Sequence, residues 1–97
     1  MRVVLETPGS YSSEVAQIDN AGGTVVGYSS STGFYIHAKA IVADYGLATQ
    51  RVEAGSMNIT TNSLDNNREL GVILTDSGVA STVETAFASD YAGGTPA

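Results

Sequence analysis

Apolar and polar positions divide the chain into short blocks. Arg2 to Glu6 is a β-branched and apolar run that predicts a strand, and Pro8 and Gly9 break it. Ser10 then stands as the cap of a helix that places Tyr11, Val15 and Ile18 on one face, with Glu14 near its positive end. Gly22 and Gly23 close this helix, and Thr24 to Tyr28 predicts a second strand. Strand, helix and strand in that order outline a βαβ unit with a parallel sheet.

Ser29 to Gly33 is a serine-rich loop, and Phe34 to Asp44 is the longest extended run of the chain. Alternation along that run puts Tyr35, His37, Lys39 and Ile41 on one face and Phe34, Ile36, Ala38 and Val42 on the other. Tyr45-Gly46 predicts a turn, and Ala48 to Glu53 returns as a hairpin partner. Gly55 to Asn67 is rich in Gly, Ser, Thr and Asn and reads as loop with one helical turn. Glu69 to Thr75 is a further strand. Asp76 or Ser77 caps a closing helix whose apolar face carries Val79, Val83, Phe87 and Tyr91. Without an internal repeat, the pattern predicts one α/β domain over residues 1–97, a mixed and largely parallel sheet flanked by helices, with residues 93–97 frayed.

The 97 residues allow one small domain at most, and 42% apolar residues suffice for a core. No run is long enough to cross a bilayer, and the N-terminus lacks the pattern of a signal peptide. A cytoplasmic or membrane-peripheral setting is favoured, with the compartment itself left open. The absence of cysteine excludes disulfides and thiolate metal sites. A net charge of −6 argues against coating a polyanion through a basic surface, so any phosphate chemistry depends on a few placed groups. Only four cations are present, Arg2, Lys39, Arg51 and Arg68.

The one His and the one Lys of the chain, His37 and Lys39, lie two residues apart. On a strand this spacing projects both from one face, about 7 Å apart along it. A lone His beside a lone Lys is by itself no site, and a metal site would need carboxylates scattered over the chain. The pair gains meaning from residues further along the chain: Asp44, then Gly55-Ser56-Met57-Asn58, then Asn67-Arg68-Glu69-Leu70-Gly71. In this order the residues resemble the signature of the phospholipase D superfamily, which includes phospholipases D, cardiolipin and phosphatidylserine synthases, and nucleases. The apolar wrapping, Tyr35-Ile36, Ile41-Val42 and Val72-Ile73-Leu74, is similar too. From Arg2 to Tyr91 the order of elements resembles the second half of a cardiolipin-synthase-like protein. The ten residues Tyr45 to Ala54 between Asp44 and Gly55 exceed the family's usual spacing, and they fall where a hairpin tip is predicted.

The resemblance implies a phosphodiesterase or phosphatidyltransferase that works through a phosphohistidine, without cofactor or metal. One histidine attacks phosphorus and a second protonates the leaving oxygen. Lys39 would hold the non-bridging oxygens, Ser56 and Asn58 would add neutral donors, and Glu69 would orient the His37 ring. Asp44, Gly55, Arg68 and Gly71 are assigned structural roles in the motif. Asn58-Ile59-Thr60 also has the form of a glycosylation sequon, incompatible with an active-site Asn58.

Such a mechanism needs two histidines, and the chain has one. Either a homodimer supplies His37 twice, or the chain is a fragment whose first motif lies upstream. A phospholipid is the expected substrate, and peripheral contact with a membrane would accompany it. A nuclease is the alternative within the same chemistry. A non-catalytic half-domain that serves only in assembly is the alternative outside it.

Overall fold

A computed structural model of the chain describes residues 1–29, 35–58 and 60–97. They form two compact units, one of Met1–His37 with Phe87–Ala97 and the other of Ala38–Ala86. Apart from Ser29, the loop predicted at 29–33 lies outside the described residues, as does Phe34.

In the first unit, β1 (Arg2–Glu6) and β2 (Thr24–Tyr28) pair in parallel, from Arg2 opposite Thr24 to Glu6 opposite Tyr28. Their crossover carries a 3₁₀ turn (Pro8–Tyr11) and helix α1 (Ser12–Asn20). The turn displaces the expected helix start. Ser10 and Tyr11 belong to the tighter turn, which proline opens, and α1 begins without a side-chain cap. Of the three residues expected on the apolar face, Val15 is buried, Ile18 is half-buried and Tyr11 is exposed. Val15 shares the core with Val25 and Val26 of β2.

The chain end departs from the expectation of a frayed tail. Strand β6 (Thr95–Pro96) pairs antiparallel with β2, Pro96 opposite Val26 and Thr95 opposite Gly27, and Ala97 N–H donates to Val25 O at 3.0 Å. The Phe87 and Tyr91 rings stack at 5.9 Å, and the Arg2 guanidinium lies over both, at 5.1 and 5.5 Å. Tyr28 Oη donates to Asp90 O at 2.7 Å, and Tyr91 and Thr24 share a hydroxyl hydrogen bond of 2.6 Å.

In the second unit, β3 (Ala40–Ala43), β4 (Arg51–Gly55) and β5 (Gly71–Leu74) form an antiparallel sheet with β4 in the middle. The architecture is therefore α/β with mixed pairing. Parallel pairing among the described strands is confined to β1 and β2, a smaller share than expected. Val52 of β4 and Ala80 are almost fully buried, each 1% exposed. Helix α2 (Ser77–Gly93) begins under Asp76, whose Oδ1 accepts from Val79 N–H at 2.8 Å. Its expected apolar face, Val79, Val83, Phe87 and Tyr91, is half-buried throughout.

The extended run predicted from Phe34 to Asp44 is regular only in β3. Gly55 N–H still donates to Lys39 O at 3.2 Å, but the chain then turns away at Ser56, so residues 35–38 have no continuing β4 partner. No helix among the described residues is long and apolar enough to cross a membrane.

Candidate functional site

The segment from Ser56 to Leu70 leaves β4 and returns to β5, and its two ends are tied together. Ser56 N–H donates to Leu70 O at 2.9 Å, and Leu70 N–H donates back to Ser56 Oγ at 3.1 Å. Between them the chain makes a single π-helical turn, Asn62–Asn66, where one helical turn was predicted. The polar composition that suits this loop also supplies donors to the one carboxylate on it that the motif names, Glu69.

Glu69 is held from three directions. Ser56 Oγ–H donates to Oε2, Ser63 Oγ–H donates to Oε1 at 2.8 Å, and the Asn67 amide donates to Oε1 at 3.3 Å. Donors to the ionised form favour it. The carboxyl is accordingly held below the ordinary glutamate value of 4.5, first by Ser56, then by Ser63, with smaller contributions from Asn67 and the Lys39 charge against opposing desolvation.

Ser63 is the residue that the motif-based reading missed. It is the buried polar side chain of the described residues, 2% exposed, and its hydroxyl both donates and accepts. It accepts from Asn58 N–H at 3.0 Å while donating to Glu69, and its own N–H donates to Thr60 Oγ1 at 3.1 Å. One hydroxyl thus fixes the backbone at Asn58 relative to Glu69. The only sequence signal for it is its place in the polar run Thr60-Thr61-Asn62-Ser63, which looks like any turn-forming stretch.

Lys39, half-buried at its place just before β3, lies on the backbone that joins the ladder beside Gly55. Lys39, Ser56, Asn58 and Glu69 all belong to the second unit, and His37 belongs to the first. The His37 ring is exposed and stacks on Tyr35 at 5.5 Å with 27° between the planes, the same-side placement expected for residues two apart on extended chain. The Ser56 hydroxyl has one proton, and Glu69 takes it. Donation from Ser56 to a phosphate would therefore compete with its hold on Glu69.

Asp44 lies in the β3–β4 connection with φ +53, in the left-handed region. Its carbonyl accepts from Leu47 N–H at 2.9 Å and its Oδ2 accepts from Thr49 Oγ1–H at 2.9 Å. Gly55 and Gly71 stand opposite each other where β4 meets β5. A methyl on Gly55 would meet Leu70 O and come within 2.6 Å of Gly71 Cα, so the strands approach this closely only with glycine at 55. Arg68 is exposed. Arg2 is engaged on the Phe87 and Tyr91 rings, and Arg51 makes a 2.7 Å hydrogen bond to Gln50 O. Among the described residues no three His, Cys, Asp or Glu side chains gather as they would around a metal ion.

Residues 7–91 match the family model described as cardiolipin synthase, phospholipase D-like domain. The match takes in most of the chain, which belongs to that family and so to the phospholipase D superfamily. Neither the curated proteins nor the solved structures contain a significant match.

Proposed function

We propose that the chain carries half of a phosphodiesterase or phosphatidyltransferase site that acts on a phospholipid through a phosphohistidine. The observation that supports this reading is the family match over residues 7–91, which includes every residue of the motif from His37 to Gly71. The polar frame around Glu69 supports it further, since an ionised carboxylate can orient an imidazole and stabilise its cationic form.

In this reading a ring nitrogen of His37 attacks phosphorus, the bond to the departing alcohol oxygen breaks, and a second imidazole gives that oxygen its proton. Water or an alcohol then attacks the phosphohistidine, returning a proton to the second imidazole and releasing His37. Lys39 balances charge on the non-bridging oxygens, and the Asn58 amide adds a neutral donor to them. The second imidazole comes from another half, either a second copy of this chain or a separate segment carrying the same motif. A lipid is preferred to nucleic acid because the net charge of −6 opposes a polyanion, whereas a lipid presents one phosphodiester at a time.

The test is turnover of a chromogenic phosphodiester in excess chelator by the wild-type chain and by His37→Ala, followed by trapping of acid-labile phosphoprotein. Turnover that survives chelation and disappears in the variant, with label on His37, is the expected result. Equal turnover by both proteins would overturn the reading. Parallel assays on a phosphatidyl lipid and on DNA distinguish the lipid enzyme from a nuclease.

A further inference from the structure

Residues 35–38, which include His37, belong to no helix or strand of the fold. The direction of the His37 ring is therefore set by contacts of the backbone around it rather than by a ladder. One such contact reaches back thirty residues: Ile36 N–H donates to Glu6 Oε2 at 3.0 Å, in a part-buried setting. We propose that Glu6 is a positioning residue for His37, its carboxylate anchoring the peptide beside the histidine and so aiming the imidazole. The proposal rests on the reading of His37 as the nucleophile. Glu6 stands before the residues 7–91 that match the family model, so the contact and not the family assigns it. Glu6, Ile36 and His37 all lie in the first compact unit.

The anchor is itself held. Glu6 ends β1 opposite Tyr28, the end of β2, and the next N–H, of Thr7, donates to Tyr28 O at 2.7 Å. Alternation along the parallel pair puts Arg2, Val4 and Glu6 on one face with Thr24 and Tyr28. That face is tied to the end of α2: Arg2 lies over Phe87 and Tyr91, Thr24 bonds Tyr91, and Tyr28 bonds Asp90 O. Glu6 thus leaves the carboxyl end of two fixed parallel strands, where α/β folds build their sites.

The Ile36 N–H belongs to the planar peptide that joins Tyr35 to Ile36. With that plane held, only φ and ψ of Ile36 and φ of His37 separate the anchor from the direction of the imidazole. Extended chain through this point sets Tyr35 and His37 on one side, and their rings stack at 5.5 Å. A carboxylate pressed against a phosphodiester would repel it, so Glu6 acts behind the histidine and not on the substrate. The anchor needs an acceptor at the right reach, whatever its charge. Gln keeps the reach and loses the charge, whereas Asp keeps the charge and falls one methylene short.

The experiment compares Glu6→Gln, Glu6→Asp and His37→Ala with the wild type on the whole chain. Amide exchange at Ile36 and the His37 ring-proton shifts are followed by NMR, and kcat and KM on a chromogenic phosphodiester. In Glu6→Asp the expected result is faster exchange at Ile36, loss of the Tyr35 ring-current shift on His37, and kcat lower by about a hundredfold with little change in KM. Glu6→Gln should restore all three. An Asp variant with wild-type exchange and ring shifts, or a Gln variant as impaired as Asp, would overturn the proposal. Should Glu6→Asp not fold, Glu6→Gln decides: a displaced His37 ring rejects the anchor, and a wild-type ring upholds it. Turnover that persists in His37→Ala would sink the proposed function instead, and the NMR comparison would still decide whether Glu6 aims the histidine.

Discussion

The Ser63 hydroxyl stands between the Asn58 backbone and the Glu69 carboxylate, accepting from the first at 3.0 Å and donating to the second at 2.8 Å. A motif residue whose peptide group is held this way is positioned by a side chain outside the motif. Ser63→Ala would take the acceptor from the Asn58 N–H and remove a donor from the carboxylate. The expected loss is about 1–3 kcal/mol of stability, read by denaturant unfolding. Under the proposed function, both kcat and KM should worsen, because the same hydroxyl holds Glu69 and the backbone of Asn58, the donor assigned to the phosphate.

Glu69 makes a pH prediction. Its folded pKa lies below its unfolded value, so its contribution to stability is present above the unfolded value and is lost as pH falls through the folded one. Melting temperatures of wild type and Glu69→Gln should therefore differ most at neutral pH and converge in acid below the ordinary glutamate range. Ser56 is the largest cause of the depression, so Ser56→Ala should move the Glu69 titration upward, as followed by carboxyl NMR. A Glu69 titration that does not move in that variant contradicts the hydrogen-bond assignment.

The paired glycines are unequal. Alanine at 55 meets the backbone of Leu70 and Gly71, which cannot swing aside, whereas alanine at 71 first meets the end of Met57 at 2.6 Å. Gly55→Ala should cost about 1–3 kcal/mol and Gly71→Ala less, by thermal or urea unfolding. Gly9→Ala, with open space around its new methyl, is the control and should be close to neutral.

Arg2 is a cation committed to the fold. Loss of its stacking on Phe87 and Tyr91 in Arg2→Ala should lower stability by about 1 kcal/mol. Specific activity of the folded variant should be unchanged. A selective loss of turnover at constant stability would show that Arg2 serves the substrate instead.

The elements most legible in the sequence are those specified by neighbouring residues. β1 and β2 have their predicted bounds because β-branched runs end abruptly at the Pro8-Gly9 and Gly22-Gly23 breaks. The cap of α2 was legible for the same reason, since Asp76 reaches an N–H three residues on. The tail was not: two glycines before Thr95 favour disorder locally, and the pairing that orders Thr95 and Pro96 comes from Val26 and Gly27, far away in the chain. Ser63 escaped notice because a buried anchoring serine and an exposed turn serine have the same local signature. The family, shown by the match over residues 7–91, was legible because the residue types from His37 to Gly71 stand in a characteristic order with apolar runs between them, which a longer hairpin does not change.

The frame around Glu69 has a kinetic consequence. Its partners Ser56, Ser63 and Asn67 lie thirteen, six and two positions before it, on one uninterrupted stretch of chain. Closing so short a loop has a small entropic cost and occurs on the timescale of local chain motion. The carboxylate can be ionised and held before distant parts of the molecule have found each other. If a second histidine must arrive from another half, encounter between halves rather than construction of this loop would set the pace at which an active site appears.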